Sequence, residues 1–444
     1  MGVISKSAIA LLAATSLAAP APGANPPNVL MILADDFGAT EMARFGIGTD
    51  PALTPSIDRL ADRGILFTNA WSNPVCSSTR ACIQTGRHSF RTGIGFIVLP
   101  TSQALDPAES TLPEVLGGYA SGAFGKWHLG NASVGGALAP NVAGFGQYSG
   151  SLHSLIDNNE VYSYYLKTVN GVGMTSSTYN TTEIVDDAVR WLRTAPEPWF
   201  CYVAFNAPHV PLHAPPAQLH SIDLGSAPPP TSTPRPYYKA MVEAMDTEIG
   251  RLVGSLGHQT ANTNIIFAGD NGSPAEVAIP PVLPEQAKIS LYEPGIQVPL
   301  IIAGPAVRGK SVESEALVHL VDLFPTVADM AQVDLGTVLP SGTDIDGQSL
   351  VPYLQNANLP SQREYNYSEI FGNLPSGEFT AFAIRDHRYK YVQTRASVLP
   401  PNEQLYDLWN DPNEYTDLLG QVGDPQVLLI RDRLVRAADA IRKP

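Results

Sequence analysis

Asn28-Val29-Leu30-Met31-Ile32-Leu33-Ala34, followed at once by Asp35-Asp36-Phe37-Gly38, is the stretch that decides the fold. Seven almost uninterrupted apolar residues fit a strand covered on both faces of a sheet, because a strand with one wet face alternates apolar and polar residues. Residues 264–268 (NIIFA) have the same character and end in Gly269-Asp270-Asn271-Gly272. Residues 199–205 (WFCYVAF) and 298–303 (VPLIIA) are further strands of this kind. Helical patterns lie between them, at 182–193 and 238–256. Strands alternating with helices predict an α/β fold built on a large sheet with helices on both faces. The Pro- and Ser-rich stretch 221–236 reads as a surface loop. After residue 354 the pattern shifts to short strand-like pieces at 379–384 and 389–393 and a last helix over 425–441. This predicts a smaller C-terminal α+β unit over 355–444.

The chain has 444 residues and a formal net charge of −15. That charge argues against a nucleic-acid partner held by bulk attraction, and leaves room for a small anion where cations are focused locally. No internal run is long and apolar enough to span a bilayer. Residues 1–24 read as a secretory leader. Lys6 is the only charge before the first proline, residues 8–19 are apolar except Thr15 and Ser16, and small or helix-breaking residues follow. A cut between positions 18 and 25 would export the protein to a periplasm or out of the cell, with no membrane attachment afterwards. Three cysteines, Cys76, Cys82 and Cys201, make neither a disulfide framework nor a zinc spacing. Cys201 lies in an apolar run and Cys82 on the helix after Cys76, so both read as packing residues; a pairing between them is left open.

In open α/β sheets, ligands bind beyond the carboxyl ends of the strands. Asp35, Asp36, Asp270 and Asn271 all stand at such ends. Either pair alone is ordinary turn chemistry. Two pairs together suit a cation, because adjacent carboxylates repel unless something neutralises them. An oxygen-only set favours a hard ion, Ca²⁺ or Mg²⁺. The segment Cys76-Ser77-Ser78-Thr79-Arg80 suggests a helix start with the thiol and guanidinium on one face. Free amides and the positive dipole end would then face an anion, a setting for an unusual nucleophile. In Gly125-Lys126-Trp127-His128-Leu129-Gly130, Lys126 and His128 would point the same way from extended chain. Pro208-His209-Val210-Pro211 restricts a histidine at a strand end. Lys288 precedes Leu291-Tyr292-Glu293-Pro294-Gly295. Clustered with Arg80, these cationic groups would bind a tetrahedral oxyanion and stabilise charge on a departing oxygen.

Taken in order, these pieces resemble the type I, formylglycine-dependent sulfatases of the alkaline phosphatase superfamily, over about residues 28–419. Later members of the set are Asp322-Leu323-Phe324-Pro325-Thr326, Asp346-Gly347-Gln348-Ser349-Leu350 and Leu405-Tyr406-Asp407-Leu408. Ser78 and Thr79 stand where the family's Cys-x-Pro-Ser-Arg pattern has proline and serine. Pro294 and Gln297 replace a usual glycine and arginine. The resemblance implies an alkaline phosphatase-like fold, a large mixed sheet sandwiched by helices, with a catalytic domain over 25–354. It implies hydrolysis of a small-molecule or glycan sulfate ester. Cys76 would be converted by a formylglycine-generating maturation enzyme, and its hydrated aldehyde would attack. Arg80 would hold that hydrate. Asp35, Asp36, Asp270 and Asn271 would bind Ca²⁺ (or Mg²⁺) together with converted Cys76. Lys126 and Lys288 would neutralise the sulfate, His128 would take a proton from the hydrate, and His209 would protonate the leaving alcohol. Two alternatives stay open at this point: a phosphate or phosphonate ester hydrolase of the same superfamily, and a catalytically silent binder of sulfated glycans.

Overall fold

The computed structural model describes residues 26–99, 101–155, 161–225, 230–374, 377–396, 402–420 and 424–443; the expected leader over 1–24 lies outside them. Ten strands form the main sheet: β1 (Asn28–Ala34), β2 (Gly64–Trp71), β3 (Ala120–Gly125), β4 (Gln147–Gly150), β5 (Tyr165–Val169), β6 (Val172–Ser176), β7 (Trp199–Ala204), β8 (Thr263–Gly269), β9 (Leu300–Ala303) and β10 (Val312–His319). Their order is β10-β2-β9-β8-β1-β7-β3-β4-β5-β6. The centre, β8-β1-β7-β3-β4, is parallel, and β9 runs against both β8 and β2. All seven residues of β1 are buried, as its unbroken apolar run requires.

Alternate residues of β1 serve two separate cores. Val29, Met31 and Leu33 pack with Ala81 and Ile83 of the helix Cys76–Thr85 and with Leu323, Phe324 and Val327 of the helix Leu323–Met330. Leu30 and Ile32 pack on the other face with side chains from the helices Pro55–Arg63, Asn180–Leu192 and Pro234–Ser255. The architecture is thus the expected mixed sheet between helical layers. Among the boundaries that differ from the sequence reading, two trace to proline. The helix expected from 238 begins at Pro234, inside the predicted loop, because proline is accommodated in a first helical turn where no N–H is needed. The strand expected from 298 begins at Leu300, since Pro299 has no N–H to give to a ladder. Among the described residues no helix is long and apolar enough to cross a membrane. Cys82 and Cys201 are both buried and free.

A second, antiparallel sheet comprises β11 (Asn366–Leu374), β12 (Gly377–Arg385), β13 (Tyr389–Ala396) and β14 (Asn402–Asp407). The helix Pro425–Ile441 covers one face, with Leu434 and Ala438 against Phe382, Ile384 and Tyr391. A buried ion cluster joins this sheet to the main one. Lys390 Nζ lies 3.1 Å from Glu293 and 2.8 Å from Glu414, and 5.0 Å from the centre of the Trp71 ring. Glu293 also accepts from Trp71 Nε1 at 3.1 Å and from Arg385 at 3.3 Å.

Two of the later sequence motifs are braces. Asp346 N and Gly347 N donate to the Gly86 carbonyl at 2.9 and 3.1 Å, at the end of the Cys76–Thr85 helix. Gly86 has φ +70°, and any Cβ there would come within 2.8 Å of the Phe324 ring, so only glycine closes this helix without displacement. The Asp322 carboxylate accepts from His319 N and Gln348 N, both at 2.8 Å, and Thr326 Oγ1 links the Asp322 carbonyl to Leu350 N. Removing one member of a buried charge cluster strands the others, at a cost of roughly 3–5 kcal/mol. Lys390→Met is therefore expected to lower the unfolding free energy by about that amount, measured by urea denaturation; a loss under ~1 kcal/mol would show that the cluster is not what docks the second sheet.

Candidate active site

Five segments deliver side chains to the carboxyl edge of the main sheet. β1 and β8 pair with Ala34 opposite Gly269, so Asp35 and Asp36 emerge beside Asp270 and Asn271. β7 leads to His209 and β3 leads to Lys126 and His128. β2 leads to the helix that begins at Cys76. This helix is buried along its whole length, and Val75 at its cap gives no side-chain hydrogen bond to the first turn. The turn before it is set instead by Thr79 Oγ1, which bonds both the N–H and the carbonyl of Asn73 at 3.0 and 3.1 Å. Ser78 Oγ donates back to the Val75 carbonyl at 2.9 Å. Ser77 Oγ donates to the His128 carbonyl at 2.8 Å and accepts from Val98 N at 3.0 Å, tying the helix start to the neighbouring loops.

The charges interlock. Arg80 donates through Nε and Nη2 to Asp270 Oδ2 at 3.1 and 2.8 Å, and through Nη1 to the Lys126 carbonyl at 2.8 Å. It is wholly buried, and Asp35 stands 3.8 Å from Nη2. Lys126 pairs with Asp35 and Lys288 pairs with Asp36, each at 2.5 Å. Asp36 has φ 66°, a left-handed conformation rare for a residue with a Cβ; its N–H bonds Asp270 Oδ1 at 3.0 Å and its carboxylate accepts from Asn271 Nδ2 at 2.7 Å. Cys76 Sγ lies 3.2 Å from His128 Nδ1. His209 Nδ1 donates to the Val210 carbonyl at 2.7 Å, which leaves Nε2 facing Asp36 at 3.8 Å.

All ten residues singled out in the sequence therefore belong to one constellation. One local expectation is corrected. Lys126 and His128 do not project from an extended segment: His128 has φ 61°, the chain turns there, and the two side chains reach Asp35 and Cys76 respectively. Arg80, implied to hold a hydrate at Cys76, here directs its hydrogen bonds to Asp270 and the Lys126 carbonyl. Two nearby residues escaped the sequence reading. His153 places its ring 6.1 Å from that of His128, and Tyr162 bonds the backbone that carries His209. Neither sits in a recognisable motif.

Burial opposes ionisation of Asp35, but Lys126 and the other cations around it hold the carboxyl well below the usual range. Asp270 is pushed up to about 7 by burial and by the charge of Asp35, against the pull of Arg80. The crowding of Asp270 against Asp35 is what a further cation between them would relieve. Asp35 Oδ1 and Asn271 Oδ1, both buried, have no hydrogen-bond partner. Ligand atoms of Asp35, Cys76 and Asp270, and of Asp35, Asp36 and His209, lie within 4.8 Å of one another. Buried acceptor oxygens without donors, beside paired carboxylates, fit a hard divalent cation. Burial pushes the Cys76 thiol up, only partly offset by Lys126 and Lys288. Burial, reinforced by Lys126, holds His128 well below its ordinary value, and burial with Lys288 takes His209 down to about 4. A neutral thiol beside a neutral imidazole is a weak nucleophile as it stands. Cys76 and Arg80 have no contact with solvent, whereas the Lys288 and His209 side chains are 10% and 8% exposed, so an anion reaches the site from that side.

Comparison with known proteins agrees with this geometry. The sulfatase family model matches residues 27–333, and the model for the C-terminal part of N-sulphoglucosamine sulphohydrolase matches residues 287–442. The chain is 30% identical over 382 residues to N-acetylgalactosamine-6-sulfatase from Homo sapiens, covering 77% of this chain and 68% of the relative. Among solved structures it is similar to Ps i-CgsB in complex with k-i-k-neocarrahexaose, with TM-score 0.76 and 25% identity over 94% of this chain and 92% of that one. A protein solved in complex with its substrate D-glucosamine-2-N,6-O-disulfate shares the fold, with TM-score 0.72 and 22% identity over 94% and 97%. With the family match spanning both the strand-end carboxylates and the Cys76 helix, the chain belongs to the sulfatase family, in the alkaline phosphatase superfamily, and is a sulfuric ester hydrolase.

Proposed function

We propose that this enzyme hydrolyses a carbohydrate sulfate ester, using a nucleophile made from Cys76 and a divalent cation, Ca²⁺ or Mg²⁺. The observation that carries the reading is the convergence of Cys76 with Asp35 and Asp270 under Arg80 and Lys126. The carbohydrate class is supported by the relatives, one named for N-acetylgalactosamine 6-sulfate and one solved with a sulfated glucosamine. Export after removal of a leader over 1–24 belongs to the same proposal.

Asp35, Asp36, Asp270 and Asn271 would hold the cation. The cation would polarise a sulfate oxygen and offset the carboxylate charge. Formylglycine at position 76, as its hydrate, would supply the oxygen nucleophile that the buried thiol does not. Lys126 and Lys288 already point their ammonium groups into the site and would draw the anionic sulfate in. His128 Nδ1, neutral and within reach of position 76, is set to accept a proton there. His209 keeps one proton on the Val210 carbonyl, so Nε2 is the atom that exchanges a proton with the leaving oxygen. Thr79 preserves the hydroxyl that orders the Asn73 turn. Ser78 stands in the first helical turn, where an N–H has no helical acceptor, so the position tolerates proline.

In the tryptic peptide 64–80, made in a host with the maturation enzyme, position 76 is expected to carry the aldehyde mass; an intact thiol throughout would defeat the mechanism. Ser78→Pro is expected to raise the converted fraction without loss of thermal stability. Cys76→Ala should lower aryl sulfate turnover at least about a thousandfold, with aryl phosphate assayed in parallel as the competing substrate. Saturating Ca²⁺ should stabilise the fold by about 2–3 kcal/mol at a hundredfold excess over its dissociation constant, and chelator should reverse this. Asp36→Asn should abolish the thermal shift; a shift that persists unchanged would place the ion elsewhere.

A further inference from the structure

The turn after β7 carries His209, and its backbone is held from two sides. On the sheet side, Phe205 N donates to the Leu33 carbonyl at 2.9 Å and Asp35 N donates to the Ala207 carbonyl at 3.1 Å. On the other side stands Tyr162. Its hydroxyl lies 2.6 Å from the Asn206 carbonyl oxygen and 2.7 Å from the His209 carbonyl oxygen. Both partners are acceptors and the hydroxyl has one proton, so the two carbonyls share it. The phenol is itself locked in place. Its ring is buried and packs on His213 with centroids 4.2 Å apart. His213 is in turn held by the Pro211 carbonyl at 3.0 Å and the Tyr179 hydroxyl at 3.2 Å. The Asn180 N–H fixes the Tyr162 backbone through its carbonyl at 2.7 Å.

We propose that Tyr162 is a positioning residue for proton transfer: by clamping the carbonyls of Asn206 and His209 it fixes where His209 Nε2 points relative to the departing oxygen. The inference rests on the reading of His209 as the proton donor. Binding of the anionic sulfate would bring a second proton onto His209, at Nε2. As the oxygen at position 76 bonds to sulfur and the ester S–O bond breaks, the electron pair of the broken bond stays on the leaving oxygen and the Nε2 proton moves onto it, leaving the ring neutral. The ring keeps its Nδ1 proton on the Val210 carbonyl. Such transfer needs the two heavy atoms within about 3 Å, and a shift of about 1 Å can cost a hundredfold in rate. The need is unequal among substrates. A good leaving group departs as an anion with little help, and a poor one depends on the proton.

The test is a series of substituted phenyl sulfates with leaving-group pKa from about 5 to 10, plotted as log kcat/KM for wild type, Tyr162→Phe, His209→Gln and the double variant. His209→Gln should steepen the slope, with roughly a hundredfold or greater loss at the poorest leaving group. Tyr162→Phe should steepen it less, with about a tenfold loss in kcat at the poorest leaving group, under about twofold at the best, and KM unchanged. In the double variant it should add nothing to the slope of His209→Gln. Because the slope compares substrates within one preparation, a variant that is only partly folded still reports it. A parallel drop across the series, or none, overturns the role of Tyr162 while leaving His209 in place. Equal loss for all substrates in His209→Gln removes His209 as donor, and the role of Tyr162 with it.

Discussion

Three buried carboxylates, Asp35, Asp36 and Asp270, meet three cations, Arg80, Lys126 and Lys288, at the end of the central strands. None of these charges would be stable there alone, because removal from water penalises every isolated ion. Their mutual neutralisation fixes the spacing of β1, β3 and β8 at this edge and pins the Cys76 helix to them through Arg80. An arginine suits this position better than a lysine would. Its planar group bonds Asp270 through two nitrogens and a backbone carbonyl through a third, which a single ammonium cannot reproduce.

The same constraint explains the rest of the scaffold. The Cys76 helix has no side-chain cap at Val75 and is secured by other contacts. Its start is held by Ser77 and by the Asn73 turn, and its end by Gly86 and the backbone around Asp346. The second sheet contributes from behind, where Lys390 and Glu293 meet Trp71 at the end of β2. Position 76 is therefore braced by parts of the chain that lie far apart in sequence.

Much of this was legible in the sequence, for identifiable reasons. Apolar runs ending in Asp35-Asp36 and Asp270-Asn271 announce buried strands and their functional ends, since carboxylates there need a reason to be present. The ladder order was not legible, because pairing is decided through space; nothing local marks β9 and β5 as strands that run against their neighbours. The geometry at His128 was missed because a left-handed turn at a histidine has no sequence cue. The motifs at Asp322 and Asp346 were visible as patterns, but only their hydrogen bonds reveal them as braces. Tyr162 left no trace, since its role passes through a hydroxyl bonded to backbone that any residues could supply.

Arg80 and Asp270 are 190 residues apart. In a chain made from its N-terminus, the Cys76 segment thus exists while 190 further residues are added before the carboxylate that locks it, and longer still without the Asp346 brace. Its burial is a late event. The thiol that ends without solvent contact begins on a loose, readable ribbon, and the length of that interval is set by where Asp270 lies in the chain.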